Sequence, residues 1–258
     1  MNTKSSLLLI SELKKKFSSR ETVLKSEFRE FYQFFLPDLS EQAFRRIIYS
    51  LEKEKIIIPL GAGVYVFQTN LQTSNRKIFN PHPSTIVQLI RDLMANLFPY
   101  TPYVVWETQV VHECMTHQPG VNQIVLEVDK EATESVFNKL IESRIQNIYF
   151  KPDKDMINRY TFINPDTVLI FPLITQSPRM NILGTVHARL EKILVDIYSD
   201  EEHFFIFQGQ EMINIFENVF ASYWINTKTL FRYAGRRKAE EKLRNFIKTQ
   251  TQIILPSL

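Results

Sequence analysis

Between Ser40 and Phe67 the spacing of apolar residues switches from a helical to an extended period. No other stretch limits the possible folds as much. Phe44, Ile47, Ile48 and Leu51 recur at intervals that put them on one side of a helix. Gln42, Arg45, Arg46, Tyr49 and Lys53 fall largely on the other side. Ser40 offers a side-chain acceptor at the helix start, and Glu41 suits the positive end of the helix dipole. After Lys55 come Ile56, Ile57 and Ile58, then Gly61 and Gly63, then Val64 to Phe67. A β-branched run, a glycine turn and a second short apolar run predict a hairpin.

Two helical stretches precede this segment. Ser6–Phe17 carries Leu8, Leu9, Leu13 and Phe17, and Thr22 to about Phe35 carries Val23, Leu24, Phe28, Phe31 and Tyr32. Pro37 ends the second. Three helices followed by a hairpin is the order of a winged helix-turn-helix, whose last helix enters a DNA groove and whose hairpin turn forms the wing. Such a domain is expected over residues 1–70, with Gln42, Arg45, Arg46, Tyr49, Lys53 and Lys55 as DNA-binding residues. The same order also occurs in protein-interaction modules. There, Arg45 and Arg46 would be held in salt bridges and an exposed apolar patch would make the contact.

Residues 71–83 are polar and carry Ser74, Asn75, Asn80, Pro81 and Pro83, which marks a boundary or linker. A short strand is expected near Lys77–Phe79. From residue 84 to 258 the chain predicts a larger mixed α/β domain. Helices are expected at Thr85–Leu97, Thr108–Met115, Thr133–Glu142, Thr185–Tyr198 and Gln210–Phe220. Strands are expected at Tyr103–Trp106, Gln123–Val128, Asn147–Phe150 and Thr167–Phe171. Strand–helix alternation favours an α/β layer over a helical bundle. Phe204–Phe207 reads as a short strand or the lead-in to a helix. The last helix, Thr227–Thr249 with a kink at Gly235, carries the densest basic run. Within it, Arg236, Arg237 and Lys238 are candidates for added phosphate contacts.

Bulk charge does not argue for nucleic acid: 31 basic against 28 acidic residues leave a net charge of +3. The single cysteine, Cys114, permits no internal disulfide and fits a reducing compartment. Leu7–Ile10 is too short for a leader or a membrane span, so a cytoplasmic location without membrane association is expected. His82, His112, His117, His187 and His203 lack helical metal-site spacing. His112, Cys114 and His117 lie close in sequence, but Cys114 reads more simply as core and His112 as a helix side chain. Glu127 and Asp129 alternate along a strand, where a nucleotidyltransferase would place a metal-binding pair. No Gly-Ser turn precedes them, so a solvated strand end is the simpler reading. The glycines are scattered and form no phosphate-cradling loop. Trp106 and Glu107 could line a pocket, although Trp106 also suits the core. No catalytic residue, metal or cofactor is expected. The enzymatic alternative would use Glu127 and Asp129.

With these phrases in place, the chain resembles the abortive-infection type antitoxins of type IV toxin–antitoxin systems and related winged-helix transcriptional regulators. The resemblance is carried by Gly63-Val64-Tyr65-Val66 at the wing and by VVWETQVVHECMTHQPG, Val104–Gly120. LEKILVDIY, Leu190–Tyr198, and TLFRYAGRRKAEEKL, Thr229–Leu243, add to it. It implies a second domain similar to a nucleotidyltransferase scaffold without its catalytic signature. It also implies repression of the protein's own operon at inverted repeats in double-stranded DNA. A nucleotidyltransferase toxin would be countered without a tight complex.

Overall fold

Apart from Leu24, which is 44% exposed, the apolar stripes of the N-terminal region turn inward in the computed structural model, which describes residues 8–255 apart from 19, 21, 62, 74, 162, 163, 165, 183 and 184. The elements are α1 (Ile10–Phe17), β1 (Val23–Leu24), α2 (Lys25–Phe35), α3 (Glu41–Lys53), β2 (Ile57–Gly61) and β3 (Val64–Phe67). The expected helix start at Ser6 lies outside the described residues.

The helix expected from Thr22 begins at Lys25 instead. Val23 and Leu24 pair antiparallel with Tyr65 and Val64 of β3, which draws them out of the helix. Glu27 then accepts the Leu24 N–H at 2.8 Å and satisfies a donor at the start of α2. Ser40 caps α3 by accepting the Ala43 N–H at 3.2 Å. The helix closes with Lys55 in the left-handed region (φ 53°), where Ile56 N–H bonds the Leu51 carbonyl and Lys55 N–H that of Glu52. This is a Schellman ending built on lysine rather than glycine.

Phe17, Phe28, Phe31, Tyr32, Phe44, Leu51 and Phe67 form the core beneath these helices. Phe28 meets Phe17 and Tyr65 edge-on, with ring centroids 5.5 and 5.7 Å apart. The sheet has the order β1-β3-β2. Its hairpin is covered on both faces. Tyr65 and Phe67 join the helical core, while Leu60, Val64 and Val66 pack on Trp224.

The chain divides into two compact units, Met1–Ile78 with Ser222–Lys228, and Phe79–Ala221 with Thr229–Leu258. Within the first, Lys77 bridges to Tyr223, and this isolated bridge is what forms where a strand was expected near Lys77–Phe79. Gln68–Thr73 forms a short helix, α4, in a stretch whose polar composition suggested none.

In the second unit α5 (Thr85–Leu97) leads into β4 (Tyr103–Glu107), α6 (Gln109–His112), β5 (Gln123–Val128) and α7 (Thr133–Ile141). β6 (Ile148–Phe150), a short turn α8 (Lys154–Met156) running into a π-helical turn, and β7 (Thr167–Pro172) follow. The sheet order is β4-β5-β7-β6, with β4 antiparallel to β5 and the other pairs parallel. Every residue of β5 is buried, as a strand covered on both faces requires. Ile124, Leu126 and Val128 point into a core shared with Val87, Ile90 and Met94 of α5 and Val136 and Leu140 of α7. Glu127 and Trp106 look the other way, toward Lys192.

Lys192 belongs to α9 (Leu190–Ser199), buried from Leu190 through Ile197. Thr185–Tyr198 is therefore not one helix. Thr185–Ala188 is β9, paired antiparallel with β8 (Arg179–Ile182), and α9 starts only after Arg189. Phe205–Phe207 forms a 3-10 turn, and α10 (Gln210–Ser222) follows.

The last helix is two, α11 (Thr227–Arg236) and α12 (Glu240–Gln250). The break falls after Arg236, not at Gly235. Lys238 sits at φ 57°, and Ala239 N–H returns to the Ala234 carbonyl at 2.8 Å. The architecture is mixed α+β, and no described helix is long and apolar enough to cross a membrane.

Candidate nucleic-acid interface

Burial of Phe44, Ile47, Ile48 and Leu51 fixes which side of α3 meets solvent. Gln42, Arg45, Arg46, Tyr49 and Lys53 are all exposed, as is Lys55 just beyond the helix. Arg45 remains 71% exposed at its side chain while pairing with Glu41 at 3.3 Å. Arg29 of α2 contacts the other oxygen of the same carboxylate. Burial works to raise the Glu41 carboxyl, but Arg29 and Arg45 together outweigh it and hold it below its usual range. Glu41 is thus a fixed anion that offsets part of the local positive charge. Arg46, Lys53 and Lys55 make no ion pair with a described residue.

The turn expected to act as a wing is anchored within its own unit. Asn226 donates to the Gly61 carbonyl at 2.6 Å and to that of Leu60 at 3.4 Å. Lys25 N–H holds the Gly63 carbonyl at 2.7 Å. Gly61 and Gly63 take φ of 88° and 74°, a region open to glycine at little cost.

The C-terminal trio separates. Arg236 is exposed and donates to Thr175 Oγ1, and Lys238 is exposed at the α11–α12 turn. Arg237 turns inward: its side chain is 18% exposed and faces Asp196 at 3.5 Å and Asp200 at 3.8 Å. Its guanidinium is already engaged by two carboxylates, so it is not presented for phosphate.

Arg237 closes a buried ionic network that sequence reasoning missed. Lys192 Nζ, at 0% exposure, contacts both Glu127 of β5 and Asp196 one turn along α9. Tyr233 of α11 donates its hydroxyl to Asp196 Oδ1 at 2.8 Å. Asp200 takes His203 Nδ1 at 2.7 Å, and the other His203 nitrogen meets the Pro152 carbonyl at 2.8 Å. Burial pushes the Glu127 carboxyl up to about 7, against the pull of Lys192. Burial tends to lower His203 too, but Asp200 prevails and raises it.

Glu127 is therefore neither a solvated strand end nor half of a pair with Asp129. It is committed to Lys192, while Asp129 lies past the strand and accepts the Glu131 N–H at 3.1 Å. The available signals were an acid inside the apolar strand QIVLEV and a lysine inside the apolar helix LEKILVDIY.

His112, Cys114 and His117 do not converge. His112 stacks on Phe207, Cys114 is buried, and His117 pairs with Glu211 at 2.8 Å. Among the described residues no group of three or more His, Cys, Asp or Glu side chains is gathered for a metal ion.

The class defined so far is a two-unit α+β protein whose first unit presents a polar, cation-bearing helix face. The chain belongs to DUF6577, a family of unknown function whose model matches residues 43–253. No curated protein matches it.

Proposed function

We propose that the first unit is a winged helix-turn-helix that binds double-stranded DNA, with α3 as the recognition helix, and that the protein is a transcriptional regulator. The observation that carries this is the division of α3. Its apolar stripe is consumed by the core, while Gln42, Arg45, Arg46, Tyr49 and Lys53 stay in solvent. The element order α1-β1-α2-α3-β2-β3 and the sheet order β1-β3-β2 support the same reading. In it, Gln42, Arg45 and Arg46 meet base edges and nearby phosphates, and Lys53 and Lys55 meet backbone. The anchored turn makes a short wing. Arg236 and Lys238 remain candidates for phosphate, and Arg237 is withdrawn. The narrower role, an autorepressing antitoxin acting at an inverted-repeat operator against a nucleotidyltransferase toxin, rests on the resemblance of the wing, Val104–Gly120 and C-terminal phrases. So does the likeness of the second unit to a nucleotidyltransferase scaffold.

The test is fluorescence anisotropy on the protein's own upstream DNA and on a random duplex across a salt series. Arg45→Ala with Arg46→Ala is expected to weaken binding and to reduce the preference between the two DNAs, with the circular dichroism spectrum unchanged. Each lost phosphate contact should lower the slope of log affinity against log salt by about 0.9. Absence of binding by the wild type at low salt would refute the reading.

One observation favours a second reading, a protein-interaction module. Phe34 is 81% and Phe35 42% exposed at the end of α2. That reading gains if DNA affinity is absent while Phe34→Ser abolishes association with a partner protein.

A further inference from the structure

Arg45 and Arg46 are neighbours on α3 and both are exposed, but they are held differently. Arg46 makes no ion pair with a described residue. Arg45 Nε donates to Glu41 Oε1 at 3.3 Å, one helical turn back along α3. The other oxygen of that carboxylate accepts from Arg29 Nη1 of α2. Arg29 is itself placed: its guanidinium lies over the Phe44 ring, 5.9 Å from the centroid, and Phe44 belongs to the core. Glu41 is the first residue of α3, where the Ser40 cap fixes the backbone. A line of contacts thus runs from a core ring through Arg29 and Glu41 to Arg45.

The atom that Glu41 engages decides what is left over. A guanidinium donates from its side, at Nε, and from its end, through the two terminal nitrogens. With Nε committed, the end of the fork remains. Among the described residues neither terminal nitrogen of Arg45 has a hydrogen-bond partner, and the side chain is 71% exposed. Two coplanar donors match two adjacent acceptors in one plane. In the DNA major groove that pattern belongs to guanine, whose O6 and N7 lie side by side. Arg45 lies in the N-terminal half of α3, the part of a recognition helix that meets base edges. An acid on such a face costs affinity for any duplex, and an exposed ion pair adds little stability. Its contribution is to hold a long side chain in one direction, which lowers the entropy lost when that side chain docks.

We propose that Arg45 reads a guanine, its two terminal nitrogens donating to O6 and N7, and that Glu41 is the positioning residue that aims it. Arg46, with no acid to orient it, contacts phosphate. The inference rests on the DNA-binding reading and adds to it the base recognised and the pair of residues that sets the selectivity.

The experiment selects duplexes from a random pool with the full-length wild type at low salt. Anisotropy is then measured on the enriched duplex, on a random duplex, and on copies in which each guanine in turn becomes adenine, with its partner changed, or 7-deazaguanine. The deaza base keeps Watson–Crick pairing but lacks the N7 acceptor. At one guanine the wild type is expected to lose roughly 5- to 150-fold in affinity on change to adenine, and a smaller factor with the deaza base. Arg45→Ala should be indifferent to both changes at that position, whereas Arg46→Ala should weaken every duplex alike. Glu41→Ala should move two readouts in opposite directions: random duplex binds more tightly because a negative charge is gone, and the preference for that guanine falls. Glu41→Gln, which keeps the size and removes the charge, gives the same comparison if Glu41→Ala does not fold. An acid that merely repels DNA would raise both affinities alike, and one that merely ties α2 to α3 would lower both. Either result overturns the role of Glu41. An enriched duplex with no guanine sensed through Arg45 overturns the inference and leaves DNA binding standing. A wild type that enriches nothing and binds no duplex removes DNA binding and the inference with it.

Discussion

Lys192→Met tests whether the ionic network holds the second unit together. Methionine fills much of the lysine stem's volume, so the main loss is the cation. In the wild type that cation contacts Glu127 and Asp196 at 0% exposure and lies 5.7 and 5.6 Å from the ring centroids of Trp106 and Tyr233. Without it Asp196 still has the Tyr233 hydroxyl and Arg237, but Glu127 loses its ion partner. Breaking a buried pair from one side costs about 3–5 kcal/mol, because a carboxylate is left uncompensated in the interior.

The protein can limit that cost by protonating Glu127, and this gives the prediction its pH signature. Glu127 already sits at about 7 against an ordinary 4.5, and loss of Lys192 moves it further up. Above 4.5 the folded variant then holds a proton that the unfolded chain releases, so stability falls as pH rises. Urea unfolding followed by tryptophan fluorescence should show a deficit larger at about pH 8 than at about pH 5. Adding Glu127→Gln should recover part of it at the higher pH. A variant within about 1 kcal/mol of wild type at neutral pH, or a deficit independent of pH, would refute the reasoning.

Three further outcomes are expected. His187 is neutral when folded, at about 4, and ordinarily titrates at 6.5. It contributes stability above 6.5 that is lost as pH falls toward 4, and His187→Phe should flatten urea midpoints across that window. Asn226→Ala removes the side-chain donor to the Leu60 and Gly61 carbonyls, and should cost about 1–3 kcal/mol in the unfolding of the first unit. Cys114 is buried with its thiol pushed up to about 11, so iodoacetamide labelling should track the urea transition and be negligible in native protein.

The parts legible in the sequence were those whose signal is local. α3 could be read because its stripe and Ser40 cap lie within one short stretch, and the β2–β3 hairpin because the period changes where the glycines begin. The failures share a cause: distant partners decided the outcome. Val186, Leu190, Ile193, Leu194 and Ile197 fit a helical face, yet pairing with Arg179–Ile182 made Thr185–Ala188 a strand. Val23 and Leu24 were claimed by β3 in the same way.

Lys192 and Asp196 are the sharpest instance. Spaced one helical turn apart, they look like a solvent-facing pair, and within LEKILVDIY only the apolar residues around Lys192 argue otherwise. The clue lay in β5. An apolar run with parallel pairing is covered on both faces, and an acid at its interior position 127 cannot reach water from there. Such an acid requires a buried cation, and α9 is the apolar helix whose lysine supplies it. Lys192 and Glu127 are thus two halves of one constraint, and the acid in β5 is the half that calls for the other.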